Sequence, residues 1–430
     1  MRCDRSCSFC FAKEKRNAYS AHDAITDMSL EDVEKILLFL SRGGCNVIQI
    51  AGGEPTLHPK FKEILTLTLE RMRVNILSNC MWDPKLNEFF NGISPTYLGF
   101  LLNVDHPKVY KSQDWNRIQE NLEFLSKREN VTLSFNIFEK KPEFQYIFDI
   151  IAKYQFKNLR LSFSMPVNYG KNTNTRLNIS EYKSASSSIM EFVKTAELFG
   201  ANVGMDNALP ICMFKSDDLL ELILKKVILP ERNFVCYPAI DIGPDLSVWR
   251  CFGTSKLFNQ KLDDFNSLDQ MVEYYQRVSR LYQFKFFPMK ECYDCIYAKT
   301  EKCQGGCMGF AETESEKLGV CPKETTDQEI LQTKLKLSAG LIFQNYHYPQ
   351  ESTVVKLENG NTIEIPLAIN NLLPLFDGNQ TTREILSETM PNFDEADKDG
   401  LNRLIVEIAI QQKIPVIRQL LDSRVLSKKA

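Results

Sequence analysis

NVIQIAGGEP, residues 46–55, is the stretch of the sequence that decides the fold. Its first six residues are a short apolar run rich in β-branched side chains, which predicts a strand, and a glycine-rich loop follows directly. Before it, apolar residues recur at helical spacing, from a capping pair at Ser29 and Asp32 to a stop at Gly43 and Gly44. The stretch therefore predicts a helix–strand–loop unit.

The same alternation of helix and strand continues to about residue 215. Strands separated by roughly 25–30 residues, with helices between them, indicate βα units and a parallel sheet or barrel. In such barrels the chemistry lies on the loops that leave the carboxyl ends of the strands. We predict an α/β fold, a partial (β/α)6 TIM-like barrel, over residues 1–215. The predicted strands cover residues 46–51, 74–78, 97–104, 131–138 and 159–165, and the predicted helices cover residues 61–73, 117–127 and 179–198.

Two further domains are predicted after the barrel. In residues 216–325 the alternation of strands and helices stops, and seven cysteines occur. This pattern indicates a small domain stabilised by bound metal. Residues 326–430 are predicted to form a winged-helix-like α+β domain, in which residues 353–366 make a hairpin. Short amphipathic helices are predicted at residues 367–375, 381–389 and 394–412.

The composition is that of a soluble globular protein, with 430 residues, 43% of them hydrophobic and 25% charged, and a net charge of −3. The absence of a basic excess argues against a nucleic-acid-binding protein. No apolar run reaches the roughly 18 residues of a membrane span, and no signal peptide opens the sequence. We expect a cytoplasmic protein.

Thirteen cysteines are unusual for a cytosolic protein, and regularly spaced cysteines in a reducing compartment more often bind metal than form disulfides. Ten of them fall in two groups, at residues 3–10 and 236–321. Cys45, Cys80 and Cys212 stand alone in apolar surroundings, and we predict that these three are buried packing residues.

The first group places Cys3, Cys7 and Cys10 within eight residues. A 4Fe-4S cluster takes one thiolate per iron, so three cysteines leave one iron open to bind a small molecule. Structural zinc, the alternative, needs a fourth ligand, and no histidine precedes His22. We therefore predict an iron–sulfur cluster with an open iron.

The spacing Cys-x3-Cys-x2-Cys, with Phe9 before the third cysteine, resembles the signature of the radical S-adenosylmethionine (SAM) superfamily. Residues 52–59, GGEPTLHP, are similar to the glycine-rich SAM-binding motif of that family. Glycines let the backbone approach a ligand closely, and Glu54 offers charge to an ammonium group such as that of methionine. The resemblance implies a catalytic 4Fe-4S cluster on the three cysteines and contacts to SAM from Phe9, Gly52, Gly53, Glu54 and Pro55.

Three polar residues at predicted strand ends, Ser78, Asn103 and Asn136, are similar to further positions of the family's SAM site. The alternative is that each is an ordinary polar residue at the end of a strand. The start of the chain departs from the family, because only two residues precede Cys3 where the family has a strand of about five residues. We expect that the true start lies upstream; the alternative is a barrel closed differently at this edge.

The second cysteine group resembles the SPASM extension of radical SAM enzymes that modify peptides and proteins. The resemblance lies in the order of the cysteines, in the segment Cys303-Gln-Gly-Gly-Cys307 and in the Pro244-Asp245 turn. Two features depart from the family: Leu246 stands where the family has glycine, and the gap from Cys295 to Cys303 is wider. The resemblance implies two auxiliary 4Fe-4S clusters, one of them with a further ligand or an open iron; a pair of zinc sites is the alternative. By matching order, one cluster takes Cys292, Cys295, Cys303 and Cys321, and the other takes Cys236, Cys251 and Cys307.

Residues 372–381, LLPLFDGNQT, resemble a segment of the peptide-binding chaperone of pyrroloquinoline quinone biosynthesis, with Thr381 as a helix N-cap. Related modules bind leader peptides by pairing an extended strand with a sheet edge. The resemblance implies that residues 326–430 bind the leader of a peptide substrate; a structural cap or a dimerisation element is the alternative.

These resemblances together imply a radical SAM oxidoreductase or maturase that reductively cleaves SAM and modifies a peptide or protein, as in ribosomal peptide maturation. Such chemistry also implies a flavodoxin- or ferredoxin-type reductant. The alternatives are a formylglycine-type sulfatase maturase and, outside enzymes, an iron–sulfur electron carrier or zinc adaptor. The open iron and the glycine-rich motif argue against the last two, because neither feature is needed to store electrons or to build a scaffold.

Overall fold

The computed structural model describes most of the chain up to residue 317 and shorter stretches beyond it. The chain divides into two compact units, Met1–Val320 and Cys321–Ala430. The predicted boundary between residues 215 and 216 lies inside the first unit and stays a prediction. The described residues are 2–22, 27–167, 174–236, 239–255, 259–284, 286–317, 332, 334–337, 342–346, 352–356, 362–366, 372–388, 417 and 426–428.

The first unit contains a six-stranded parallel sheet in which the strands follow one another in sequence order. The predicted α/β fold is confirmed, and the sheet is consistent with a partial TIM barrel. Its last strand was missed, because NVGM is only four residues long, contains glycine and is only partly buried. The strands are β1 (Val47–Ile50), β2 (Arg73–Ser78), β3 (Leu98–Asn103), β4 (Val131–Ile137), β5 (Asn158–Phe163) and β6 (Asn202–Met205).

Helices connect these strands and cover the sheet with apolar side chains. The capping pair at the start of α2 forms as predicted: Ser29 Oγ accepts from the backbone N–H of Asp32 and donates to its carboxylate at 2.7 Å. The centre of the sheet is apolar and closed to solvent, with Ile76, Leu133 and Leu161 fully buried. The helices are α1 (Lys13–His22), α2 (Leu30–Arg42), α3 (Phe61–Leu69), α4 (Leu86–Asn91), α5 (Ser112–Leu125), α6 (Gln145–Tyr154), α7 (Tyr182–Leu198), α8 (Ser216–Leu224) and α9 (Pro230–Asn233).

The cysteine-rich part of the first unit is built on a three-stranded antiparallel sheet of short strands. The long helix α10 packs on this sheet, and Tyr275 on the helix donates a hydrogen bond from its hydroxyl to the backbone oxygen of Val248 at 2.7 Å. Ile36 of α2 joins the same apolar cluster. The strands are β7 (Asp241–Ile242), β8 (Ser247–Trp249) and β9 (Gln260–Lys261), and the helices are α10 (Leu268–Phe284), α11 (Ile296–Lys299) and α12 (Met308–Lys317).

The second unit contains two three-stranded antiparallel sheets, in the orders β14-β10-β15 and β11-β12-β13. The predicted hairpin is present as the pair β12 and β13, and Thr381 caps α13 by exchanging hydrogen bonds with Glu384. The winged-helix-like arrangement stays a prediction, and most of the predicted helices at residues 367–375 and 394–412 lie outside the described residues. The elements are β10 (Lys334–Leu337), β11 (Ile342–Tyr346), β12 (Ser352–Lys356), β13 (Thr362–Pro366), β14 (Asp377–Thr381), α13 (Thr382–Glu388) and β15 (Leu426–Lys428).

Candidate functional site

The cysteine loop and the glycine-rich loop are in direct contact. The backbone N–H of Glu54 donates a hydrogen bond to the backbone oxygen of Arg2 at 2.6 Å. A Cβ on Gly53 would lie 1.9 Å from that same oxygen and 2.7 Å from the Cβ of Cys3, so only glycine fits. The structure therefore joins the two motifs that the sequence placed about 45 residues apart.

The three cysteines of the first group lie on one short loop, and each is partly buried. The backbone N–H of Cys10 donates to the oxygen of Cys7 at 3.2 Å, which turns the chain between the second and third thiols. Burial raises the pKa of Cys3, and the backbone N–H of Arg5 works in the opposite direction. Three soft sulfur donors on a compact loop are a suitable donor set for three irons of a 4Fe-4S cluster.

Arg5 lies beside Cys7 and was missed in the sequence. Its guanidinium pairs with the Asp105 carboxylate at 2.7 Å, its Nε donates to Cys7 Sγ at 3.5 Å, and its Cζ lies 4.1 Å from the Tyr110 ring centroid. Burial raises the pKa of Cys7, and the hydrogen bond from Arg5 counteracts this shift. Because the thiolate is the form that binds iron, Arg5 favours the ligand state of Cys7. The available signal was Asp105, which follows Asn103 at a strand end.

Glu54 is only 3% exposed, and protein donors surround its carboxylate. Thr56 Oγ1 donates to it at 2.6 Å, Ser78 Oγ at 2.9 Å, and the backbone N–H of Asn79 at 2.8 Å. Burial raises the pKa of Glu54, and these hydrogen bonds oppose that shift. The carboxylate thus ties the glycine-rich loop to the end of β2. Its predicted role as the counter-charge of an ammonium group stays a prediction.

The other residues predicted to contact SAM lie at or after the carboxyl ends of neighbouring strands, apart from Phe9 on the cysteine loop. Asn136 donates from its side chain to Asn103 Oδ1 at 3.2 Å, which links the ends of β3 and β4. Phe9 stacks on Phe138 with ring centroids 4.8 Å apart. Pro55 is buried and begins the short 3-10 helix Pro55–Leu57 after the glycines. The structure brings these residues to one edge of the sheet, and their contacts with SAM stay predictions.

Cys236, Cys251 and Cys307 interact electrostatically with one another around the guanidinium of Arg250. Arg250 is 4% exposed, its Nη1 lies 3.5 Å from Cys236 Sγ, and its buried Nε has no hydrogen-bond partner among the residues that the structure describes. Burial opposes the charge of Arg250, but the three thiols raise its pKa. A buried cation with an unused donor among three thiols suits an anionic iron–sulfur cluster.

Cys292, Cys295 and Cys303 form a separate group in the same unit. The backbone N–H of Gly305 donates to Cys303 Sγ at 3.3 Å. A Cβ on Gly305 would lie 2.9 Å from Cys292 Sγ, and the φ of +82° at this position also requires glycine. Cys321, the fourth predicted member, lies outside the described residues.

The three solitary cysteines have different environments. Cys80 is buried, as predicted, and Cys45 is partly buried. The prediction of a buried packing residue is wrong for Cys212, which is exposed. Cys212 belongs to the 3-10 helix Ile211–Met213, in which the next residue, Met213, is buried while the Cys212 side chain is exposed. Apolar neighbours in the sequence therefore did not imply burial.

No three His, Cys, Asp or Glu side chains of the described residues converge as the ligands of a single metal ion would. The thiolates of a 4Fe-4S cluster bind different irons and need not meet at one point. None of the helices that the structure describes combines the length and apolar character needed to cross a membrane.

Comparison with known proteins identifies the first part of the chain. Residues 1–179 match the family described as the radical SAM superfamily. Among solved structures, Streptococcus suis SuiB bound to S-adenosylmethionine matches with a TM-score of 0.48 and 14% identity, covering 71% of each chain. The structure of anSMEcpe with bound AdoMet and Kp18Cys peptide matches with a TM-score of 0.49 and 18% identity, covering 71% of this chain and 86% of that one. No curated protein matches the sequence.

Proposed function

We propose that this chain, whose residues 1–179 form a radical SAM domain, is a maturase that modifies a peptide or protein substrate. The observation that carries the proposal is the contact between the Gly53–Glu54 backbone and the Arg2–Cys3 backbone. This contact places the loop with the three thiols beside Gly53, where the backbone can approach a ligand closely. A cluster that binds SAM at its open iron requires these two loops to be adjacent.

With the 4Fe-4S cluster and SAM bound, the site would supply one-electron cleavage of SAM and removal of a hydrogen atom from a substrate carbon, the electron coming from a flavodoxin- or ferredoxin-type reductant. The chain's own residues bind and orient. Cys3, Cys7 and Cys10 hold three irons, and Arg5 donates a hydrogen bond to the Cys7 sulfur. Glu54 fixes the glycine-rich loop to β2 through Ser78 and Asn79.

The second cysteine group is proposed to hold two auxiliary 4Fe-4S clusters. Cys236, Cys251 and Cys307 surround Arg250, whose buried positive charge needs a negative partner. Cys292, Cys295 and Cys303 form the second set on a turn that only glycine permits. Clusters held by these two sets of thiols would supply one-electron acceptors.

The second unit is proposed to bind the leader of a peptide substrate. Strands β11 and β13 are the outer strands of their three-stranded sheet. An outer strand leaves backbone N–H and C=O groups unpaired on one side, and an extended peptide can pair with them. This mode of binding suits the peptide class of substrate better than a folded protein domain.

Mass spectrometry of a peptide substrate tests the proposal. A candidate peptide is chosen by a search for a short reading frame beside the gene, and it is incubated anaerobically with the reconstituted enzyme, SAM and dithionite. We expect a modified peptide from the wild type and from the control Cys45→Ala, and loss of the product in Cys303→Ala to a greater extent than loss of 5′-deoxyadenosine. An unmodified peptide beside abundant 5′-deoxyadenosine would contradict the peptide as substrate. Equal losses of both products in Cys303→Ala would contradict a separate auxiliary role.

A further inference from the structure

Cys212 lies beside the second group of auxiliary cysteines, although it is about 80 residues away from them in the sequence. The Cys292 thiol interacts electrostatically with Cys212 as well as with Cys303 and Cys295. The same interaction appears from the side of Cys212, whose thiol is influenced by Cys295, and from the side of Cys303. The four thiols therefore lie near one another, with Cys292 and Cys303 buried, Cys295 partly buried and Cys212 exposed.

The backbone holds Cys212 at this position. The N–H of Ile211 hydrogen-bonds to the Cys303 sulfur, which also accepts from the N–H of Gly305 at 3.3 Å. Pro210 lies under the same turn, because a Cβ on Gly306 would be 3.4 Å from its Cδ. The 3-10 helix that carries Cys212 is thus packed on the Cys303 turn, and the four thiols are held by two connected segments.

We propose that Cys212 is the fourth protein ligand of the auxiliary cluster held by Cys292, Cys295 and Cys303. The inference rests on the proposed function, because it requires an auxiliary cluster at this site. Four thiolates are a complete ligand set for a 4Fe-4S cluster, one for each iron. Cys212 takes the place that the order of the cysteines gave to Cys321, and the cluster lies near the surface because Cys212 is exposed.

Alkylation of the wild-type protein tests the assignment without any variant. Iodoacetamide is added anaerobically to the apoprotein and to protein reconstituted with iron and sulfide, and the labelled cysteines are counted by peptide mass spectrometry. Because Cys212 is exposed, we expect rapid labelling in the apoprotein and at least about ten-fold slower labelling after reconstitution. Cys45, whose thiol donates to the backbone oxygen of Val47, serves as the control and should react equally in both forms.

Two results would overturn the inference, and they differ in what else they overturn. Unchanged labelling of Cys212 beside protected Cys292, Cys295 and Cys303 would remove Cys212 from the ligand set and leave the auxiliary cluster in place. Unchanged labelling of all four cysteines would remove the cluster itself, and with it both this inference and that part of the proposed function.

A variant gives a second, independent readout. The full chain with Cys3, Cys7 and Cys10 replaced by Ala binds only auxiliary iron, and Cys212→Ala is added to that background. We expect a chelator to remove its iron at least about ten-fold faster than from the background protein, since a ligand is lost. Cys45→Ala should leave the rate unchanged. Equal rates for Cys212→Ala and Cys45→Ala, with matching circular dichroism, would contradict the ligand role.

Discussion

At the scale of single residues, Arg5 connects the cysteine loop to the end of β3. Its contact with Asp105 spans 100 positions of sequence, which is why no local pattern identified it. The triad and the glycine-rich motif could be predicted because each is contiguous and carries its chemistry in residue type and spacing. The roles proposed for Arg250 and Cys212 could not be predicted, because they depend on thiols that are distant in sequence and close in the fold.

Replacing Arg5 tests its effect on the cluster. Arg5→Met removes the donor to Cys7 Sγ, and hydrogen bonds to cluster sulfurs favour the reduced, more negative state. We expect the reduction potential of the catalytic cluster to fall by tens of millivolts, on the order of what a charge-assisted hydrogen bond supplies. Arg5→Lys, which keeps the charge, should recover part of the shift. A redox titration followed by electron paramagnetic resonance measures this, and identical potentials in all three proteins would contradict it.

Gly53 gives a steric prediction. Gly53→Ala places a methyl group 1.9 Å from the Arg2 oxygen, so the cysteine loop and the glycine-rich loop must separate. We expect weaker SAM binding by at least about ten-fold, because the two halves of the site lose their register. Gly204→Ala is the matched control, since nothing lies within 4 Å of its Cβ. Equilibrium dialysis against labelled SAM measures the affinity, and equal affinities in the two variants would refute the close-contact argument.

At the scale of elements, the sequence predicted five of the six strands, from short apolar runs rich in β-branched residues. The ends of some elements differ from the prediction, because tertiary contacts decide where an element ends. Helix α3 ends at Leu69, earlier than predicted, because β2 already begins at Arg73. Leu246 stands where the family has glycine, and its backbone has a φ of +59°. Glycine adopts this left-handed conformation without a steric clash, whereas a side chain such as that of leucine makes it costly. The sequence identified Leu246 as a departure from the family, but it did not predict the left-handed backbone conformation.

Helix α1 is joined to the antiparallel sheet β7–β9 by a buried lysine. Lys15 is 4% exposed, and its Nζ lies 3.4 Å from the Trp249 ring centroid. Burial lowers the pKa of Lys15 to about 8, although Asp245 and Asp241 act to raise it. Helix α1, which follows the cysteine loop, therefore packs on the cysteine-rich part of the unit through a buried cation–π contact between Lys15 and Trp249.

This contact predicts a pH dependence of stability. Burial raises the pKa of Asp241 from 3.8 to about 7, with Lys15 opposing. Between these values the unfolded carboxyl is ionised while the folded one keeps its proton, so the free energy of unfolding falls as pH rises through this window. Asp241→Asn removes that titration. We expect the variant to gain about 2 kcal/mol relative to wild type between pH 5 and pH 7. Urea unfolding at several pH values measures the difference, and parallel curves for the two proteins would contradict it.

At the scale of the whole molecule, the division into Met1–Val320 and Cys321–Ala430 separates the proposed chemistry from the proposed binding of a leader. The sequence predicted the change of pattern near residue 326, because alternating strands replace the cysteine-rich segment. The described stretches of the second unit are short, and the arrangement of its helices therefore stays a prediction.

Hydrogen exchange of the full chain tests the binding role of the second unit. A leader peptide that adds a strand protects the backbone N–H groups of an outer strand, β11 or β13, by pairing with them. We expect slower exchange in residues 342–346 or 362–366 when the leader is present, and no change in the central strand β12. Protection confined to residues 1–320 would show that the peptide is held by the first unit alone.

The central claim is that Cys3, Cys7 and Cys10 hold a cluster that cleaves SAM. The most direct measurement is 5′-deoxyadenosine formed by the anaerobically reconstituted full chain with SAM and dithionite. We predict its formation by the wild type and by Cys45→Ala, and none by Cys7→Ala, because the loss of a ligand to the open cluster removes the site of SAM binding. No 5′-deoxyadenosine from a wild-type protein that carries a full set of iron on the triad would contradict the claim.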